Sequence, residues 1–169
     1  MSDSPSVSDR RGISQVALVE VPVRRIPVAI WARSQEHIDE LFREFALIAA
    51  GQREHEGAND VPSRLMQLID DVTERFGGLN TDQENRLADA ADSGIAEIDL
   101  TYQIPPEARQ ACIDLGTMLD EADAYCRDGA HLLTLATPPE LVRFRTWFLA
   151  EFVRQLDGGS PTPWPDYAG

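Results

Sequence analysis

The stretch Leu132–Pro165, LLTLATPPELVRFRTWFLAEFVRQLDGGSPTPWP, decides the fold class. It opens with a short apolar run, Leu132–Ala136, free of charge and of strand type. Thr137-Pro138-Pro139-Glu140 then reads as a helix start: a hydroxyl to accept an orphan amide, a proline that needs no donor, and a glutamate that reaches back. The helix that follows carries Leu141, Phe144, Trp147, Phe148, Phe152 and Leu156 at three- and four-residue spacings, the densest aromatic face in the chain. Gly158-Gly159 stops it. A strand feeding a long amphipathic helix implies helices laid on a sheet.

Working outward, Ala96–Ile104 alternates strictly. Ala96, Ile98, Leu100, Tyr102 and Ile104 point one way; Glu97, Asp99, Thr101 and Gln103 point the other. Such a strand has one wet face, so helices should cover the sheet mainly on one side. Pro105-Pro106 launches a helix with the stripe Ala108, Cys112, Leu115, Leu119, Ala122 and Cys126. Further upstream, Val16–Val21 and Val23–Ile26 are β-branched but interrupted by Pro22 and Pro27, which suits an edge strand or strap. Val28–Ala32 reads as a short strand, with Ser34 as the N-cap of a helix through Ile38, Leu41, Phe42, Phe45 and Ile48. Val61–Phe76 and a weaker segment from Thr81 to Gly94 complete the helices.

The expectation is an α+β, two-layer fold: a small sheet of about three strands with long helices mainly on one face. The last two strand-helix units suggest right-handed crossovers between parallel strands. Residues 1–14 read as a disordered tail, 15–157 as a single domain and 158–169 as an extended, proline-rich tail. The chain has 169 residues, 43% of them hydrophobic, enough for a proper core.

Charge narrows the partners. The net charge is -14, from 29 acids against 15 bases, and every base is arginine. Acidity on this scale repels phosphate backbones and anionic lipid, which disfavours nucleic-acid and membrane-surface roles. Residues 1–35 hold five arginines against three acids, net +2, whereas residues 36–169 hold ten against 26, net -16. The basic N-terminal segment is expected to dock on its own acidic body. No apolar run approaches the roughly 20 residues of a membrane span, and Met1–Gly12 has no signal-peptide core, so a cytoplasmic address is expected. Cys112 and Cys126 fall on one helix about 21 Å apart, too far to pair, and read as buried thiols in a reducing compartment.

Candidate sites are few. His37, Glu40 and Glu44, with Glu36 beside them, share one helical face in the pattern of carboxylate-histidine metal helices, but no second such helix appears. A solvated face accounts for the same residues. No phosphate loop, nucleophile elbow or calcium loop occurs, and no cofactor is expected. Arg143, Trp147 and Arg154 are either an arginine-aromatic cluster of the type protein interfaces favour or a core tryptophan with arginines that offset an acidic surface, and Trp164 is either a handle for a partner or packed on its own body.

The segments Arg33–Ile48 (RSQEHIDELFREFALI), Asp99–Ala108 (DLTYQIPPEA), Leu119–Cys126 (LDEADAYC) and Leu133–Trp164 resemble a family of small actinobacterial proteins of unassigned activity. Members tend to be encoded beside STAS-domain anti-sigma antagonists and ATP-binding anti-sigma kinases. The likeness spans about Pro27 to Trp164 and brings no catalytic residues. It implies a place in partner-switching regulation. The leading expectation is therefore a non-catalytic protein-interaction module that uses Arg143, Trp147, Arg154 and Trp164 on a STAS-domain or anti-sigma regulator, with homodimerisation also open. The alternative is a metal-assisted hydrolase built on Glu36, His37, Glu40 and Glu44.

Overall fold

A computed structural model of the chain describes residues 17–52, 60–129 and 135–167. The order is β1 (Val19–Pro27), α1 (Val28–Gln52), α2 (Val61–Phe76), α3 (Thr81–Asp92), β2 (Glu97–Ile104), α4 (Ala108–Asp128) and α5 (Pro139–Leu156), then a short 3-10 turn at Trp164–Asp166. The fold is α+β. Among the described residues the sheet has two strands, not three, and they run antiparallel, so no parallel crossover joins them.

Two sequence expectations account for the difference. Val28–Ala32 is the first turn of α1, not a strand. Its apolar residues continue the helical period backward from Ile38 through Trp31 to Val28, and this longer repeat outweighs a five-residue β-like run. Ser34 is consequently a buried mid-helix residue, not an N-cap. The expected strand Leu132–Ala136 lies mostly outside the described residues; its described end, Leu135 and Ala136, is not strand. The expected tail at residues 1–14 also lies outside them.

β1 tolerates Pro22 because of where its backbone points. In an extended strand a residue's N and C=O face the same side. The Pro22 carbonyl accepts from Gln155 Nε2 at 2.9 Å on α5, away from β2, so the missing N–H is not lost from the ladder. Between Val23 and Ile26 the register slips, and Arg25 takes the left-handed conformation, φ 53°. Acids on the wet face of β2 hold this bulge. Asp99 Oδ1 accepts the Arg25 amide at 2.7 Å, and Glu97 Oε2 accepts Arg25 Nε at 2.8 Å. Arg24 reaches Asp99 at 3.3 Å, and Arg33 on α1 pairs with Glu140 at 2.7 Å. Arginines of the basic segment thus pair within the molecule.

The other face of the sheet is apolar. Val21, Val23, Ile26, Leu100, Tyr102 and Ile104 pack under Leu87 of α3 and under Phe144, Trp147 and Phe152 of α5. A second cluster joins α1, α2 and α4 through Leu41, Phe45, Leu65, Leu119, Ala122 and Cys126. Burying an indole such as Trp147, 0% exposed, contributes roughly 4–6 kcal/mol before the cost of ordering it. The turn between α2 and α3 needs glycine twice. Gly78 has φ 81°, and a side chain at Gly77 would collide with the Thr73 carbonyl.

Candidate functional site

The aromatic face of α5 points inward. Trp147 Nε1 donates to the Thr162 carbonyl at 2.8 Å, and Trp164 stacks edge-on against Trp147 with centroids 5.4 Å apart. Trp164 is itself buried, and Arg143 lies over its ring at 4.7 Å and donates to the Tyr167 carbonyl. The segment after α5 is therefore a strap closed by a 3-10 turn, not an extended tail throughout. Arg154 donates to the Ser160 carbonyl at 2.9 Å and to Glu151. Of the four residues singled out as a protein-binding cluster, Arg143, Trp147 and Trp164 are brought together, whereas Arg154 meets the strap separately at Ser160; Trp147 is fully buried.

The acidic face of α1 is dispersed. Glu36 and Glu40 are exposed, Glu44 is partly exposed, and His37 Nε2 lies 3.0 Å from Thr137 Oγ1. Among the described residues no three histidine, cysteine or acidic side chains are grouped as metal ligands.

Two buried polar networks emerge that the sequence reading did not assemble. In one, Arg145 (7% exposed) donates to Asp123 Oδ2 and Asp120 Oδ1, each at 2.6 Å, and to Thr137 Oγ1 at 3.3 Å. Asp123 also accepts the Thr137 amide at 2.9 Å, which fixes the entry to α5 against α4. In the other, the Glu151 carboxylate, 0% exposed, accepts from Gln155, Arg154 and the Thr162 amide. A signal for both exists in the sequence: each charge sits inside an apolar helical stripe, Asp123 between Leu119 and Cys126, Arg145 between Leu141 and Phe148, and Glu151 between Phe148 and Phe152. A charge on a core stripe requires a buried partner.

Two concave features flank the α4–α5 pair. The first is an open groove of about 600 Å³ between the helices. Ile113, Gly116, Leu149, Ala150 and Val153 form its apolar floor, and Asp120, Arg145, Arg154 and Asp157 edge it. Arg109 clamps Asp157 with bonds of 2.6 and 2.8 Å and holds that carboxyl below its ordinary range. The second is a half-open cavity of about 250 Å³ lined mainly by the cluster that packs on the sheet, which shares Cys112 and Leu149 with the groove. Burial pushes the Cys112 thiol up to about 11, so at neutral pH it is protonated and a poor nucleophile. Cys126 is pushed up to about 11 by burial and, secondarily, by Asp123.

No family model, curated protein or solved structure matches this chain.

Proposed function

We propose that this protein is a non-catalytic interaction module, and that a regulator protein docks in the groove between α4 and α5. The observation that carries this reading is the groove's composition: an apolar floor rimmed by guanidinium and carboxylate groups, the layout of a protein-protein interface. The occupant that fits is a helix with an apolar stripe and basic flanks, because residues 36–169 carry a net charge of -16. The resemblance to proteins encoded beside anti-sigma regulators names the first partners to try, a STAS-domain antagonist or an anti-sigma kinase. That setting is cytoplasmic. Among the described residues no helix is long and apolar enough to cross a membrane.

Titration calorimetry with purified STAS-domain and anti-sigma kinase proteins of the same genome tests the proposal. Saturable binding is expected, and Ala150→Arg, which fills the groove floor, should abolish it. Absence of binding to every such regulator defeats the assignment of partner. Binding unaffected by Ala150→Arg defeats the assignment of surface. Sedimentation at several concentrations shows whether a second copy competes for the groove.

A further inference from the structure

The second cavity has the features of a ligand site: a half-open, mostly apolar concavity of about 250 Å³ with a few polar groups in its lining. Every helix and β2 contribute to it, through residues such as Trp31, Phe76, Leu87, Tyr102, Ala108 and Phe148. An apolar cavity of about 150 Å³ is enough to hold benzene, so this volume suits about ten non-hydrogen atoms.

Its polar lining side chains include Gln35, Asn80, Glu84 and Tyr102. Tyr102, 5% exposed, lines the cavity, and its hydroxyl makes no hydrogen bond to any described residue. Burial, reinforced by Glu84, raises its pKa, so the hydroxyl stays protonated and available as a donor. Asn80 stands one turn before Glu84 at the start of α3, and the Glu84 amide bonds its carbonyl at 3.1 Å. The Asn80 side chain makes no cap hydrogen bond, and its Oδ1 is buried without a partner. Buried acceptors are ordinarily paired, so the unused Asn80 Oδ1 in the lining of an apolar cavity calls for a donor, and the Tyr102 hydroxyl of the same lining is free to bond the same group. Gln35, Leu79 and Glu84 are the exposed members of the lining and mark the mouth. The Glu84 carboxylate there disfavours anions.

We propose that this cavity binds a small neutral ligand, a flat apolar body of about ten non-hydrogen atoms bearing one hydroxyl, with that hydroxyl between Tyr102 and Asn80. The site adjoins the α4–α5 groove, with which it shares Cys112 and Leu149, but opens elsewhere, beside Gln35, Leu79 and Glu84, and its proposed ligand does not depend on the docking partner.

The probes are 4-ethylphenol, ethylbenzene and 4-methylbenzoate, titrated into the full chain by calorimetry and by saturation-transfer NMR. One molecule of 4-ethylphenol should bind, ethylbenzene about five-fold more weakly, and 4-methylbenzoate not detectably. Tyr102→Phe should bring 4-ethylphenol to the affinity of ethylbenzene while leaving ethylbenzene unchanged. Ala108→Leu, which fills the cavity, should abolish binding of both neutral probes. Cys112→Leu serves the same purpose should the first variant not fold. The proposal is overturned if neither neutral probe binds up to its solubility. It is also overturned if binding survives the filling variant, or if the benzoate binds as well as the phenol.

Discussion

The backbone of Thr162 is held at both ends by α5: Glu151 accepts its amide at 3.1 Å, and Trp147 donates to its carbonyl at 2.8 Å. Glu151 and Trp147 are one turn apart, so both reach the same residue of the strap. Gln155, one turn further on, carries the linkage to the Pro22 carbonyl on β1. A single buried carboxylate thus joins the helix, the strap and the outer edge of the sheet.

Removing that carboxylate strands several donors at once. Glu151→Ala is expected to lower stability by about 3–5 kcal/mol, because Arg154, Gln155 and the Thr162 amide lose a shared acceptor in a water-excluded site. Urea denaturation gives the number. A loss below about 1 kcal/mol would mean that the strap is not held through Glu151.

The Arg145–Asp123 pair should show the asymmetry of buried ions. Asp123→Ala leaves a buried guanidinium with only the exposed Asp120 as its acidic partner, and should cost about 3 kcal/mol or more. The double variant Asp123→Leu/Arg145→Met should recover most of this, since it removes both desolvation penalties. A double-mutant cycle by chemical denaturation checks it, and additive losses would contradict a direct coupling.

Stability should fall on the alkaline side. The two thiols have folded values near 11 against 9.0 for the ordinary group, and Tyr102 is also raised. Above pH 9 the unfolded chain loses these protons while the folded chain keeps them, so proton release favours unfolding. Melting temperature is expected to decline between pH 9 and 11, less steeply in Cys112→Ala/Cys126→Ala. A flat profile over that window would refute the assignment of the thiols.

For His37, the contact with Thr137 Oγ1 at 3.0 Å predicts a structural loss. His37→Ala should lower stability by about 1 kcal/mol, equally with and without zinc or manganese. Thermal melts decide the matter: a metal-dependent rise in melting temperature that disappears in the variant would restore the metal-helix reading of Glu36, His37, Glu40 and Glu44.

Local pattern determined much of this protein by itself. The alternation from Ile98 to Ile104 fixed β2 and its wet face, and three- and four-residue spacings marked the cores of α1, α2, α4 and α5, because period is a property of neighbours along the chain. Val28–Ala32 misled for the same reason: five apolar residues fit either period, and only their continuity with Ile38 and Leu41 makes them helical. What lies between elements was decided by the tertiary structure. Arg145 meets Asp123, Glu151 meets Thr162, and the aromatic face that resembled an interface closes over its own strap, since which charges become partners depends on how helices cross. The cavity beside Tyr102 belongs to the same class, as a void is defined by surfaces from many elements and leaves no trace in any one of them.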